Sequence, residues 1–133
     1  MTKYDPKYGF ATYKPKHPRS HTDGYVLEHI LMAETLISKS LPRGAVIHHP
    51  NGNGDNSVFV ICQDQGYHFL LHTRERAFRA CGHANWRKCW ICKKYDALEN
   101  LYFPKIKYHC HWHRRCMAAY QFRRRTKQGE RMA

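Results

Sequence analysis

The chain has 133 residues and carries eleven histidines and six cysteines. Their spacing sets apart two groups suited to metal chemistry. The first is His48-His49 with His68 and His72. On a helix, positions i and i+4 lie one above the other, so His68 and His72 would share a face. In extended chain, neighbouring side chains point to opposite sides, so His48 and His49 can take different roles. Three imidazoles converging on one ion, with a fourth beside it, is an arrangement for hydrolysis. An imidazole titrates near pH 6.5 and can take a proton from water. An all-imidazole donor set favours Zn, Ni, Co or Mn over Mg, which prefers oxygen. Each of these histidines alone would more often be a surface or packing residue; the signal is the four together, in this order.

The second group is Cys89-x-x-Cys92 followed by His113-x-x-Cys116. Two short-loop pairs separated by an intervening segment have the spacing of a tetrahedral structural zinc site. His109, Cys110 and His111 compete for a place in that set. Such a site contributes folding free energy directly, which suits a short chain with little core. Cys62 is expected as buried strand filler and Cys81 as a helix-end residue. His29 is expected to be packed or exposed rather than a ligand, and His17, His21 and His83 to be surface residues.

Elements must position these side chains. After the turn signal Asp23-Gly24, the stretch 24–40 repeats Val26, Ile30, Ala33 and Ile37 at helical spacing. Pro42-Arg43-Gly44 then breaks that helix. Ala45 to Ile47 reads as a short strand, 50–56 (PNGNGDN) as a loop, and Ser57 to Cys62 as the returning strand. Asp64 is a candidate N-cap for a helix over 65–80. Strand, loop, strand and helix in that order can fold the strand end over the histidine face. Residues 1–23, rich in Lys, Pro and Tyr, read as a basic extended arm. Residues 81–120 read as a small zinc-stabilised lobe, and 121–133 as a basic tail, helical at its start and frayed later. The expected fold class is α+β.

The segments GYVLEH, AVIHHPNG and VICQDQGYHFLLH resemble the HNH endonucleases, especially phage-type members. The likeness covers residues 24–80. A similar zinc-bearing tail extends it to about 120, through Arg87 to Cys92, Tyr95-Asp96, Asn100-Leu101 and His113 to Cys116. The resemblance implies a ββα-metal (HNH) core over 24–80. In it His48 would be a metal ligand, His49 the general base, and His68 the closing ligand, with His72 as its i+4 partner. The expected activity is metal-dependent hydrolysis of DNA phosphodiesters, leaving 5′-phosphate and 3′-hydroxyl ends, and the implied origin is a phage or prophage. The family usually places Asn-Leu directly before the second strand, where this chain has Val58-Phe59. Asn56 is the nearest substitute for that catalytic-loop asparagine, with Asn53 and Asn51 as alternatives.

Twenty-three Lys and Arg face ten Asp and Glu, a formal net charge of +13. That balance attracts polyanions; by charge alone these could be DNA, RNA or an anionic membrane. No apolar run approaches the roughly 18 residues of a membrane-spanning helix, and the first residues lack a signal peptide's apolar stretch. A cytoplasmic protein with reduced cysteines is therefore expected. Arg74, Arg76, Arg79, Arg87, Lys88, Arg114 and Arg115 are the expected contacts to the DNA backbone. The tryptophans and tyrosines near them are expected in the core. The rival readings are a non-catalytic, zinc-stabilised DNA-binding module with a degenerate HNH site and, more remotely, an RNA-binding protein.

Overall fold

The computed structural model describes residues 1–104 and 110–133. They form an α+β arrangement of three helices and three small antiparallel sheets. The chain divides into two compact units, Met1–Leu71 and His72–Ala133. The division falls inside one helix, one turn after His68.

The first unit opens with β1 (Thr2–Asp5), β2 (Gly9–Tyr13) and β3 (Tyr25–Leu27), in the order β1-β2-β3. The register pairs Tyr4 with Phe10 and Thr12 with Val26. The N-terminal arm, expected as an extended segment, is ordered as a hairpin whose second strand pairs with β3. The Asp5 carboxylate accepts the backbone N–H groups of Lys7 and Tyr8 at 2.8 and 3.0 Å, which sets the turn. Aromatic and β-branched residues supply the strands. The two buried positions of β2 are Gly9 and Ala11, the latter 3% exposed, so the inward face carries no large apolar side chain that would mark a strand in the sequence.

Helix α1 (Glu28–Ile37) is shorter than the periodic stretch 24–40, because Tyr25, Val26 and Leu27 complete the sheet as β3. It ends at Ser38 in the left-handed conformation (φ 54°), whose N–H meets the Glu34 and Thr35 carbonyls. The core gathers Val26, Ile30, Ala33, Leu41, Ala45 and Ile47, with Phe59 and Ile61 packed against it. Two residues of the former arm tie down the chain after α1. His17 Nε2 lies 2.8 Å from Glu34 Oε2, and Glu34 Oε1 accepts the Leu41 N–H at 2.9 Å. Arg19 donates to the carbonyls of Ala45 (3.0 Å), Pro42 and Arg43. His17 is thus partnered and largely enclosed, with 14% of its side chain exposed.

β4 (Val46–His48) pairs with β5 (Val60–Cys62) through Val46↔Cys62, Ile47↔Ile61 and His48↔Val60. β4 sits one residue later than the sequence suggests, which brings His48 into the strand. β5 begins later too, because the Asp55 carboxylate holds the N–H and hydroxyl of Ser57 and keeps 55–57 in the loop. Helix α2 (Gln65–Cys81) follows. Asp64 Oδ1 accepts the Tyr67 N–H at 2.8 Å, the N-cap expected of it. Gly82 ends α2 at φ 76°, its N–H on the Phe78 carbonyl at 2.8 Å.

The second unit contains the hairpin β6 (Arg87–Lys88) and β7 (Tyr95–Asp96), a 3-10 turn at Leu98–Asn100, and helix α3 (Arg114–Met132). α3 continues through the basic tail instead of fraying after its start. Among the described residues of this unit, Ala77, Cys89 and His113 are buried, too few to form an aliphatic core. Among the described residues no helix is long and apolar enough to cross a membrane.

Candidate metal centres

Cys89, Cys92, His113 and Cys116 come together, each offering one ligand atom within 4.8 Å of the others. Zinc holds sulfur at about 2.3 Å and nitrogen at about 2.0 Å in a tetrahedron, and this spacing fits such a shell. A tight knuckle presents the first pair: the Cys89 N–H donates to the Lys94 carbonyl at 2.9 Å, and the Lys93 N–H to the Cys89 carbonyl at 2.8 Å. Lys93 takes the left-handed conformation at φ 64° to close it. His113 and Cys116 come from the start of α3. His113 Nδ1 lies 3.5 Å from Cys92 Sγ and 3.6 Å from Cys116 Sγ, so Nδ1 is the nitrogen turned into the group. Its other nitrogen, Nε2, lies 3.2 Å from Asp96 Oδ2. A carboxylate there keeps the proton on Nε2 and leaves the Nδ1 lone pair for an ion.

Burial pushes the Cys89 thiol up, but the N–H groups of Cys92, His113 and Ile91 outweigh it and hold the thiol at about 6. Cys116 is raised by burial and by the sulfurs of Cys92 and Cys89. Like-charged sulfurs this close oppose one another until a cation joins them, which is how a ligand set behaves. Cys110 and His111 fall outside the group. The His111 backbone bridges to Cys89, and its ring stacks on Phe103 at 4.8 Å. His109 lies outside the described residues.

His48, His68 and His72 form the second group, again with ligand atoms within 4.8 Å of one another. His48 is 1% exposed at the end of β4, and its ring centroid is 5.4 Å from that of His68. His68 and His72 share one face of α2. The Gln65 amide lies 3.3 Å from His68 Nδ1, and Glu75 Oε2 lies 3.8 Å from His72 Nδ1. Both contacts lie within α2 and involve the Nδ1 side of each ring. A set of three imidazoles suits a borderline-soft divalent cation.

His49 stands apart from that group. Its Nδ1 is 3.1 Å from the Asp55 carbonyl. A carbonyl only accepts, so Nδ1 carries the proton and Nε2 presents a lone pair. His29 of α1 sits 3.3 Å away, Nδ1 to Nε2, with ring centroids 4.8 Å apart. Burial and the neighbouring His49 hold His29 down at about 4, so it stays a neutral donor near pH 7. His29 is packed, as expected, and lies outside the ligand group; its contact with His49 was not foreseen, because a lone helical histidine carries no spacing signal. Asp96 was likewise missed as a supporting residue. Asn56 donates through Nδ2 to Glu28 Oε2 at 3.3 Å, while its buried Oδ1 has no hydrogen-bond partner among the described residues. Val58 is 52% exposed and makes no loop anchor.

Of the expected backbone contacts, Arg74, Arg76, Arg79, Lys88, Arg114 and Arg115 are exposed. Helical spacing places Arg76 and Arg79 on the stripe of His68 and His72, and Arg74 on the other side of α2. Arg114 lies over the Tyr102 ring at 5.3 Å. Arg87 is half-buried and commits Nη1 to the carbonyls of Trp86 and Ala84 at 2.8 and 3.2 Å. Comparison with protein-family models, with curated proteins and with solved structures finds no match.

Proposed function

We propose that the chain is a metal-dependent DNA endonuclease of the HNH type, with a ββα-metal core formed by β4, β5 and α2 and a structural zinc at Cys89, Cys92, His113 and Cys116. The observation that carries this reading is the pairing of a three-histidine group with a fourth histidine whose tautomer leaves Nε2 unprotonated. In this reading His49 Nε2 takes a proton from the attacking water. The Asp55 carbonyl keeps the Nδ1–H aligned and stabilises the imidazolium that forms. Water must take the place of the His29 N–H at that nitrogen, and a neutral His29 adds no charge to oppose protonation of His49. A divalent ion held by His48, His68 and His72 would act as a Lewis acid toward the scissile phosphate and the leaving 3′-oxygen. Asn56 ties the loop to α1 through Glu28. Arg76 and Arg79, on the histidine stripe, hold flanking phosphates. The products carry 5′-phosphate and 3′-hydroxyl ends, and the family likeness makes the source a phage or prophage.

One observation favours a second reading. Exposed Val58 stands where the family has its loop asparagine, and the His29 N–H faces the base nitrogen. A zinc-stabilised DNA-binding module with a degenerate site would look the same. The test is supercoiled plasmid with metal-stripped protein plus Mg, Mn, Ni, Co or Zn, alongside His49→Ala. Nicked or linear product that requires both an ion and His49 supports the nuclease. DNA binding without cleavage under every ion makes the binding module the better account.

A further inference from the structure

Beside the Cys-rich knuckle, α3 lines a groove of about 760 Å³. Cys116, Ala119, Tyr120, Arg123, Arg124 and Lys127 reach it from one helical face, at spacings of three and four residues. In a helix packed on a core such a face is apolar. Here its inner end holds a metal-ligating cysteine, its middle an aromatic ring, and its outer end three cations. Arg115 and the knuckle residues 90–93, Trp90 and Lys93 among them, complete the lining. Trp90 and Tyr120 meet edge to face at 5.1 Å, and the Arg124 guanidinium stands 5.9 Å from the Tyr120 centroid. Among the described residues no acidic side chain lines the groove. The Trp90 Nε1–H is buried and has no acceptor among the described residues, although an indole N–H usually finds one.

We propose that this groove binds single-stranded nucleic acid, with an unpaired base against Tyr120 and Trp90 and its flanking phosphates on Arg115, Arg123, Arg124 and Lys127. Five cations without a carboxylate select a polyanion. Apolar, aromatic walls select one with π faces to offer, which is how sequence-tolerant single-strand sites are built. A duplex keeps its bases stacked inward and would leave the aromatic walls unused. The site belongs to this unit alone and does not depend on the histidine centre, so it is tested without cleavage.

The experiment uses full-length, zinc-loaded His49→Ala protein without other divalent ions. Anisotropy of a labelled oligothymidylate is compared with that of a labelled duplex. Tyr120→Ala should weaken oligothymidylate binding by about tenfold and change duplex binding by less than about twofold, with zinc content unchanged. Tyr120→Phe should restore it. Tryptophan quenching by the oligothymidylate should be lost in Trp90→Phe although Trp86 and Trp112 remain. Arg124→Gln with Lys127→Gln, which leaves the rings in place, should lower the salt slope by about 0.7 per lost phosphate contact. Equal losses for single strand and duplex in Tyr120→Ala, or an unchanged salt slope, would overturn the proposal. So would polyglutamate displacing the oligonucleotide equally from the Tyr120→Ala protein and from its Tyr120 parent, which would mark an acidic-peptide site.

Discussion

Asp96→Asn is the sharpest probe of the proposed zinc site, because it changes one atom and no volume. Asp96 Oδ2 faces His113 Nε2 at 3.2 Å, while Oδ1 accepts the Ala97 N–H at 2.7 Å and the Asn100 Nδ2–H at 2.8 Å. The carboxylate thus meets three donors with acceptors only, and these contacts hold its pKa below the ordinary range, the Asn100 bond contributing most. An asparagine amide cannot do this. Turned one way, its NH₂ opposes the His113 Nε2–H; turned the other, it opposes Ala97 and Asn100. Either way a donor meets a donor, and the tautomer that leaves Nδ1 for the metal loses its support. Loss of such a partner typically weakens metal binding 10- to 100-fold, about 1.4–2.8 kcal/mol. The Asp96 side chain is 32% exposed, so water supplies part of what is lost, and the expectation sits near the tenfold end. Competition against a chromophoric chelator measures the affinity, with stoichiometry as the control for folding. Zinc affinity within twofold of wild type would refute the role of Asp96 and the assignment of Nδ1 as ligand.

His29 gives a pH dependence with a definite sign. Its folded value is about 4 against 6.5 for the free imidazole, so the unfolded chain binds the proton more tightly and stability falls as pH drops from about 6.5 toward 4. The ring is only partly enclosed, so the loss is on the order of 2 kcal/mol after allowing for solvent screening. Urea unfolding of wild type and His29→Gln should show their stability gap narrowing on acidification, and a gap independent of pH would refute it. Ile30, 8% exposed in the core, should cost about 3 kcal/mol as Ile30→Ala. Leu36→Ala on the same helix, at 72% exposure, should stay within about 0.5 kcal/mol. Zinc removal by a strong chelator should abolish amide protection in α3 and β6–β7 before the sheet β1–β3 opens, as read by hydrogen exchange. Simultaneous loss in both units would show that the second does not depend on its own metal.

What the sequence disclosed follows the strength of each local signal. The Cys89, Cys92, His113 and Cys116 set is legible because two i, i+3 pairs carry their own geometry, and His68 with His72 because a capped, periodic helix fixes their shared face. Strand, loop, strand and helix appear in the expected order for the same reason. The hairpin β1–β2 was hidden because it buries almost nothing, so its strands follow cross-strand pairs such as Tyr4 and Phe10 and not an apolar rhythm. The end of α3 was hidden by its charge: arginine and lysine are good helix formers even where nothing packs on them. His29 and Asp96 act through partners 20 and 17 residues away, a relation that spacing cannot show. Arg87 was read as a free cation because charge alone does not reveal carbonyls within reach.

The different fates of His48 and His49 come from where β4 stops. Pairing with β5 ends at His48↔Val60, so His48 is held inward with its ring 1% exposed, and His49 is the first residue released to the loop. A loop could carry His49 anywhere, so its aim must be set by the turn that brings Asp55 back to it. That turn runs through Gly52 and Gly54 at φ 100° and 89°, conformations that cost side-chain-bearing residues free energy. The Gly52 N–H meets the His49 carbonyl at 3.2 Å, and the Asp55 N–H meets the Gly52 carbonyl at 3.3 Å, before the Asp55 carbonyl reaches His49 Nδ1. The N-terminal hairpin then closes on the loop from outside. A Cβ at Gly9 would stand 3.1 Å from the Gly54 Cα, so backbone packs on backbone there with no side chain between. The N-terminal hairpin thus buttresses the turn that brings Asp55 back to His49, and the first sheet supports the histidine loop as well as the core.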